Sequence, residues 1–504
     1  MEEISIKKLY LIVFSTGAVI MILELIGSRI LAPTLGTSIF IWTSLIGIIL
    51  GAMSLGYFLG GKLADKNPNV KTFSLIIFAS GILIFFIIII KTSVLEFSVF
   101  LGMKNGAIFS AIAIFALPAV LLGTVSPYAA RMAIKEVESS GRTMGNLYAI
   151  STFGSIVGTF LAGFYLIPNF GSTNILYTLA FLLFSISIFS YYNKIRTIKI
   201  LASFLFLFGF SLIVSAMEKE EFIINEDSAY SNIRIYDRAD KDGKITRIMA
   251  VENFFDSGMF LDSEELVFDY TKYYRLDEIF KKDIKKAVLF GGAAYSVPKD
   301  FLSRNKEGVI DVVEIDPKTT ELAEKYFRLD TSDKRLNIYH EDARIFLNRT
   351  EREDKNKYDV VYNDAFTSTC SVPFHLTTEE AIEKIYNILH DDGVYIMNSV
   401  SAISGEKSKF FRAEYKTIKE QFENVFIFPV LATDENTLEN SQNIMIVATK
   451  QEMNIDNILE NNKEGEAGEL LKHYYKYKIK TDDIRVLTDD FAPINHYTSK
   501  LCVF

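Results

Sequence analysis

The sequence predicts a multi-pass α-helical membrane domain in residues 1–217, a small β-module in residues 218–284 and an α/β domain in residues 285–504. The charge distribution separates the first part from the rest. Residues 1–216 carry 14 Lys and Arg and 7 Asp and Glu, whereas residues 217–504 carry 39 and 55. Such an acidic soluble part argues against nucleic acid as a partner, because phosphate binding needs a basic surface.

The membrane domain is predicted from charge-poor stretches, each close to the 20 or so apolar residues that a spanning helix needs. Seven helices are predicted, near 9–29, 39–61, 73–90, 107–127, 145–167, 173–192 and 200–217. The protein is therefore expected to be a multi-pass protein of the cell membrane, with the lipid bilayer as a partner.

Lys and Arg in the loops predict the orientation of these helices. With the N-terminus inside, eleven of them fall in cytoplasmic loops and three in outer loops, which is the bias that membrane insertion favours. Seven crossings place the soluble part outside, whereas six or eight place it inside. The sequence leaves this choice open.

Small residues within the helices predict close helix contacts, since they recur four residues apart. The pairs are Gly47 and Gly51, Gly56 and Gly60, and Gly154 and Gly158. Pro118 and Pro127 predict a bend in the fourth helix. Pro168 predicts an interruption after residue 167.

Glu24 is a carboxylate inside a predicted span, where an ionisable group is costly and faces a partner. We expect a structural ion pair with Arg29 or Arg131. The alternative interpretation is that Glu24 belongs to a path for a substrate or an ion.

The β-module is predicted from residues 232–236 and 244–251, which alternate between apolar and polar side chains around a turn at 240–243. Residues 266–279 have the apolar spacing of a helix. Tyr270, Tyr273 and Tyr274 lie in that segment and form either a packed aromatic face or part of a pocket.

The α/β domain is predicted from alternating strands and helices. Strands are expected at 287–290, 309–315, 335–339, 358–363, 394–398, 425–428 and 444–448, and helices near 295–304, 317–327, 342 onward, 378–389 and 406–421. This alternation indicates a parallel sheet covered on both faces. Ligands bind such sheets at the carboxyl ends of the strands.

Chemically distinctive residues follow the first four of these strands. Gly291 and Gly292 allow a ligand or a tight turn to approach the backbone. Glu314, about 20 residues further on, can accept hydrogen bonds from both ribose hydroxyls of a nucleoside. Asp342 can accept from an adenine amino group or can cap a helix, and Asp364 faces the expected reacting centre. Together they predict an adenosine-type ligand.

Residues 288–292, 313–316, 341–343 and 358–365 resemble the spermidine synthase (polyamine aminopropyltransferase) family, which is related to the class I S-adenosylmethionine methyltransferases. Further similar segments are 228–231, 372–377 and 488–493. Residues 21–33 and 51–65 resemble the membrane part of the membrane-fused branch. The resemblance implies a Rossmann-like, class I methyltransferase-like fold for residues 285–504.

The resemblance also implies a reaction. Decarboxylated S-adenosylmethionine is the expected co-substrate, and its aminopropyl group passes to putrescine or a related amine, leaving methylthioadenosine. Gly291 and Gly292 would lie against the donor, Glu314 would hold its ribose, and Asp342 with Ala343 its adenine. Asp364 would lie beside the transferring group, and no metal is expected.

The acceptor side departs from the family pattern. Thr367 occupies the position of the family's catalytic Asp, Ala294 that of an Asp in the glycine loop, and Ser231 that of a Gln. The expected acceptor-binding residues are Tyr230, Ser231, Asp262 and Tyr274. Asp364, Asp256 or Asp262 could compensate for the missing acids.

Three functions therefore stay open. The first is aminopropyl transfer, and the second is methyl transfer from intact S-adenosylmethionine, because Ala294 removes a charge that would repel its carboxylate. The third is a non-catalytic transporter or sensor that binds a nucleoside or a polyamine. A small-molecule amine is the expected partner, and a homo-oligomer is left open.

The two cysteines and His375 say less about the function of the protein. Cys370 and Cys502 form neither a disulfide framework nor a zinc motif. His375 is expected to order its loop through a hydrogen bond, with a role as a base as the alternative.

Overall fold

The computed structural model describes residues 4–134, 139–217, 222–239, 243–252, 254–353, 357–366, 372–431 and 437–501, without the side chains of 212–217 and 254–256. The chain divides into two compact units. One unit contains the N-terminal helices together with residues 226–231. The other contains residues 222–225 and the chain from residue 232 onward.

The helical unit contains six helices, among the described residues, that are long and apolar enough to cross a membrane. They are Ile6–Leu35, Ile39–Lys66, Val70–Val99, Gly102–Ala133, Ser140–Asn169 and Ser172–Ser190. They correspond to the first six predicted helices. A further helix, Lys194–Met217, covers the seventh predicted stretch and begins with a basic turn.

Two of these helices contain a wide π-helical turn, and in each the turn lies just before a proline. The turns are Ile112–Ala116, before Pro118, and Ala162–Leu166, before Pro168. Proline has no N–H to donate and clashes with the carbonyl four residues earlier, and a wide turn relieves both problems. The predicted interruption is present, but it begins after Asn169 rather than after residue 167, and the next helix begins at Ser172.

Glycines form the closest helix contacts for two of the three predicted pairs. A Cβ atom at Gly154 would lie 2.0 Å from the carbonyl oxygen of Phe14, and one at Gly60 would lie 2.7 Å from the Cα of Thr124. A Cβ atom at Gly56 or Gly158 would approach the backbone of the facing helix equally closely. By contrast, a Cβ at Gly47 or Gly51 would meet no described atom within 4 Å, so the prediction for that pair is wrong.

We expect Gly154→Ala to destabilise the helical unit, because the added methyl group must displace the backbone of the first helix. Overpacking of this kind costs about 1–3 kcal/mol. Gly47→Ala is the matched control and should be neutral or slightly stabilising, since alanine favours the helix and the added methyl group has open space. Thermal unfolding of the full-length protein in detergent tests this, and equal melting temperatures for the two variants would contradict it.

The predicted ion pair of Glu24 is wrong. Arg131 pairs instead with Asp65, at 3.1 Å from Nε to Oδ1. The guanidinium of Arg29 donates to the carbonyl oxygens of Ser228 and Tyr230, which belong to the same unit. Residues five apart on a helix point roughly 140° away from each other, so Arg29 cannot share a face with Glu24. Within the described part of the chain, Glu24 has no ion-pair partner.

The β-module is a sheet with the order β1-β2-β3-β4 in the described residues. Its strands are β1 Ile224–Asp227, β2 Asn232–Ala239, β3 Ile245–Val251 and β4 Phe254–Phe260. The predicted hairpin is confirmed as the antiparallel pair of β2 and β3. The helical spacing of 266–279 is confirmed from Asp269 onward, where Asp269–Lys272, a 3₁₀ turn at Tyr273–Leu276 and Asp277–Phe280 follow one another directly. Asp277 is fully buried, and its Oδ1 accepts a hydrogen bond from the N–H of Glu278.

The α/β domain is built on a sheet with the order β10-β11-β9-β8-β5-β6-β7 in the described residues. Its strands are β5 Lys286–Phe290, β6 Val309–Val313, β7 Leu336–Tyr339, β8 Tyr358–Asn363, β9 Leu389–Ser401, β10 Asn424–Pro429 and β11 Gln442–Thr449. Strands β5 to β9 are parallel, as predicted. Strand β11 is antiparallel to both neighbours, because no crossover helix separates it from β10.

Helices cover both faces of this sheet, and apolar cores lie on each side. The predicted helices are present as Ser296–Arg304, Pro317–Tyr326, Ala343–Glu353, Glu379–Ile388 and Lys409–Lys419. Shorter elements are 3₁₀ turns at Phe374–Leu376 and Glu406–Ser408 and helices at Ile455–Asn461, Gly465–Leu471 and Ile494–Thr498. The strand order reverses between β5 and β8, and this is where ligands enter sheets of this type.

Candidate active site

The turn after β5 contacts the turn after β8. Gly291 has φ +91°, and a Cβ atom there would lie 2.5 Å from the carbonyl oxygen of Asp364. Only glycine fits that position, since both the conformation and the space exclude a side chain. The N–H of Asp364 in turn donates to the carbonyl of Phe290, at 2.9 Å. The glycine turn therefore contacts the backbone of Asp364 directly.

Glu314, directly after β6, holds the shape of this glycine turn. Its Oε2 accepts hydrogen bonds from the N–H groups of Gly292 and Ala293, at 2.9 and 3.1 Å, and its Oε1 accepts from Asp316 at 2.9 Å. Burial raises the pKa of Glu314, and these backbone donors oppose the rise. Each carboxylate oxygen can accept more than one hydrogen bond, so the group retains capacity for a ligand hydroxyl.

Two further residues of this turn have a left-handed backbone conformation although they are not glycine. Ala293 has φ +44° and Tyr295 has φ +57°, conformations that cost energy for residues with a Cβ. The side chain of Ala294 is fully buried in an apolar cluster with Ile233, Met249 and their neighbours. The position at which the resemblance implies an Asp is thus occupied by a buried methyl group.

Asp342, after β7, plays two structural roles. Its Oδ1 accepts from the N–H of Arg344 at 2.8 Å, which caps the helix that begins at Ala343. Its Oδ2 lies 3.1 Å from Nε2 of His375, and the hydrogen bond from His375 lowers the pKa of Asp342. Asp342 therefore caps the helix, which is one of its two predicted roles. His375 forms a hydrogen bond with Asp342, as expected of a residue that orders its loop.

Arg344 joins the two C-terminal segments that carry part of the resemblance. It donates to the carbonyl of His375 at 2.8 Å and to Oδ2 of Asp489 at 2.7 Å. Asp489 also accepts from Oγ1 of Thr378 at 2.7 Å. These contacts fasten segments 372–377 and 488–493 beside the end of β7, and the sequence analysis did not identify Arg344.

Asp364 is the titratable group at the end of β8. Its Oδ1 accepts from Nδ2 of Asn398 at 2.9 Å. Burial raises the pKa of Asp364 to about 6, and hydrogen bonds from Asn398, Tyr270 and Tyr274 limit the rise. Tyr274 is 1% exposed, and burial raises its pKa well above the usual value, so it remains a neutral donor.

The structure brings together only some of the predicted residues. Gly291, Gly292, Glu314, Asp364 and Tyr274 are joined by the contacts above. Asp342 and Ala343 lie at the end of β7, whose Tyr339 carbonyl accepts from the N–H of Glu314.

The remaining predicted residues have no hydrogen bond to this group among the described residues, or are not described. Asp262 is exposed after β4. Tyr230 is exposed and Ser231 is buried in a turn with Ser228, and both belong to the helical unit. Thr367, Cys370 and Cys502 lie outside the described residues, as does the side chain of Asp256.

Asn398 and Tyr270 complete the surroundings of Asp364. Tyr270 was predicted to lie in an aromatic face or a pocket, whereas no role was predicted for Asn398. The signal for Asn398 is present in the sequence, because it is the polar residue that closes the apolar stretch predicted as a strand at 394–398. Groups of three or more His, Cys, Asp or Glu that could hold a metal do not occur among the residues that the structure describes.

Comparison with known proteins relates this domain to polyamine enzymes. Residues 276–457 match the family described as the spermine/spermidine synthase domain. The chain is 25% identical over 242 residues to a polyamine aminopropyltransferase of Vibrio vulnificus, covering 46% of this chain and 76% of that protein. It is 29% identical over 144 residues to one of Clostridium acetobutylicum, covering 28% and 49%.

A methyltransferase and solved spermidine synthases are also similar. The N-terminal histidine N-methyltransferase of Emericella nidulans is 33% identical over 125 residues, covering 25% of this chain and 21% of that protein. The spermidine synthase of Thermotoga maritima has a TM-score of 0.38 at 18% identity, covering 56% of this chain and 87% of that structure. A probable spermidine synthase of Corynebacterium glutamicum has a TM-score of 0.40 at 20% identity, covering 49% and 88%.

Proposed function

We infer that this protein is a membrane-bound aminopropyltransferase. Its residues 276–457 match the spermine/spermidine synthase domain, in keeping with a spermidine synthase-like family. The enzyme transfers the aminopropyl group of decarboxylated S-adenosylmethionine to putrescine or a related amine. The apolar helices of the N-terminal unit support a multi-pass location in the membrane.

The observation that carries this proposal is the environment of Asp364. An alkylammonium ion must lose a proton before its nitrogen can attack carbon. A carboxyl group with a pKa of about 6 is mostly ionised at pH 7 and is still basic enough to accept that proton. As the new C–N bond forms, the C–S bond of the sulfonium breaks, and sulfur leaves as the neutral thioether of methylthioadenosine.

The donor is assigned to the strand ends on either side of Asp364. Glu314 accepts hydrogen bonds from the ribose hydroxyls while it supports the turn at Gly291 and Gly292. Asp342, with Ala343, accepts from the adenine amino group with the capacity that the helix cap leaves. On the acceptor side we assign Tyr274, Tyr230, Ser231 and Asp262. Thr367 takes the position at which the resemblance implies the catalytic Asp.

Methyl transfer from intact S-adenosylmethionine is the second candidate. It is favoured by Ala294, because an apolar, buried side chain at this position offers no charge to repel the donor's carboxylate. The similarity to an N-methyltransferase over 125 residues supports the same alternative. Both reactions attack a carbon next to a sulfonium, and positioning of the acceptor decides which carbon reacts.

The test uses full-length protein in detergent with putrescine and each donor separately, and it identifies nucleoside products by mass spectrometry. Methylthioadenosine with spermidine is the expected result. S-adenosylhomocysteine from intact donor and an acceptor extract would assign the protein to the methyltransferases instead. Donor binding without either product would reject both reactions and indicate a sensor or transporter.

A further inference from the structure

A row of amide side chains extends from Asp364 across three strands of the sheet. Nδ2 of Asn398, on β9, donates to Oδ1 of Asp364 at 2.9 Å. Nδ2 of Asn443, on β11, donates to Oδ1 of Asn398 at 3.0 Å. Asn398 is 3% exposed, so its amide depends on these two partners rather than on water. Asn443 reaches this place because β11 is inserted next to β9.

Hydrogen-bond directions along this row depend on one another. An ionised carboxylate can only accept, so Asn398 must turn its NH₂ group toward Asp364 and its oxygen toward Asn443. Asn443 then donates to that oxygen. If the Asn398 amide turned over to accept from a protonated Asp364, its NH₂ group would face the NH₂ group of Asn443, and the hydrogen bond to Asn443 would be lost unless that amide turned as well. Donation from Asn443 therefore selects the orientation that favours an ionised Asp364.

The other groups against Asp364 do not select this state in the same way. Hydrogen bonds from Tyr270 and Tyr274 also lower the pKa of Asp364, but the hydroxyl of Tyr274 is within 3.3 Å of the carbonyl oxygen of Asn363 as well, and a hydroxyl can rotate between partners. The glycine turn contributes a backbone contact from Gly291. Of the described side chains that contact Asp364, Asn398 is the one whose hydrogen-bond direction depends on a further residue, Asn443.

We propose that Asn443 is a positioning residue for the transfer reaction: by orienting the amide of Asn398, it keeps Asp364 ionised and able to accept a proton from the incoming amine. This inference rests on the proposed function of the site. Asn443 does not touch the reacting atoms in this arrangement, and its effect passes through Asn398.

The test is Asn443→Ala in the full-length protein, because alanine removes the donor without adding charge. The acid limb of the pH profile of kcat/KM should move upward by about half a pH unit, since Asn398 becomes free to turn over. Asn443→Gln, which keeps an amide donor, should restore part of the wild-type profile. Asn424→Ala is the control, because it removes another side-chain hydrogen bond of the β10–β11 pair, to the carbonyl of Gln451.

A second readout does not need turnover. The infrared band of the protonated carboxyl group that disappears in Asp364→Asn should titrate at a higher pH in Asn443→Ala than in the wild type. The inference would be overturned if Asn443→Ala lowered activity at every pH but left both the acid limb of the pH profile and the titration of the infrared band unchanged. Asn443 would then have a structural role only. A moved band in a protein without turnover would support the inference while rejecting the proposed reaction.

Discussion

Asp364→Asn is expected to reduce product formation by about 10²- to 10⁴-fold, the usual contribution of a positioned acid or base. An amide cannot accept the proton of the attacking ammonium at any pH near neutrality. The amide can still occupy the place of the carboxyl group beside Asn398, so the fold and the donor site should persist. The rate of methylthioadenosine release, with donor binding measured in parallel, tests the prediction.

The same carboxyl group predicts the pH dependence of the wild-type rate. Burial raises the pKa of Asp364 to about 6, so the protonated, inactive form predominates below that pH. The rate should therefore rise with pH, with a midpoint near pH 6. Asp483→Asn is the matched control, because that carboxylate forms an exposed ion pair with Arg412. A rate in Asp364→Asn comparable to that of the control would show that another group accepts the proton.

The residues of the donor side could be predicted because they follow from local patterns. Apolar strands ended at Phe290, Val313 and Asn363, and each end was followed by residues suited to a turn or a ligand. In a parallel sheet the carboxyl ends of strands share one edge, so local positions become spatial neighbours without further information. This is why Gly291, Glu314 and Asp364 could be brought together from the sequence.

The residues that tune Asp364 could not be assigned in the same way. Asn443 reaches Asn398 only because β11 lies antiparallel between β9 and β10, a pairing that periodicity does not specify. Tyr270 and Tyr274 were placed on one predicted helical segment, and the 3₁₀ turn at Tyr273–Leu276 changes which side chains share a face. Similarly, Glu24 and Arg29 are close in sequence but lie on different faces of their helix.

Glu314→Gln is expected to weaken donor binding by roughly 10- to 100-fold, because one buried N–H then loses its acceptor at a cost of about 1–3 kcal/mol. Three backbone N–H groups point at this carboxylate, from Gly292, Ala293 and Asp316. A glutamine has one oxygen, so at least one of these donors must face an NH₂ group. The glycine turn would then shift away from the position in which Gly291 contacts Asp364.

The result can be separated from a general loss of charge by comparison with Glu321→Gln. Glu321 lies on the helix that follows Glu314 and forms an exposed ion pair with Lys318, at 2.9 Å from Oε1 to Nζ. Such a pair contributes little, so this control should bind S-adenosylmethionine or methylthioadenosine like the wild type. Calorimetric titration of the full-length protein in detergent measures both variants. Equal affinities would mean that donor binding depends neither on a contact of Glu314 with the ribose nor on its support of the glycine turn.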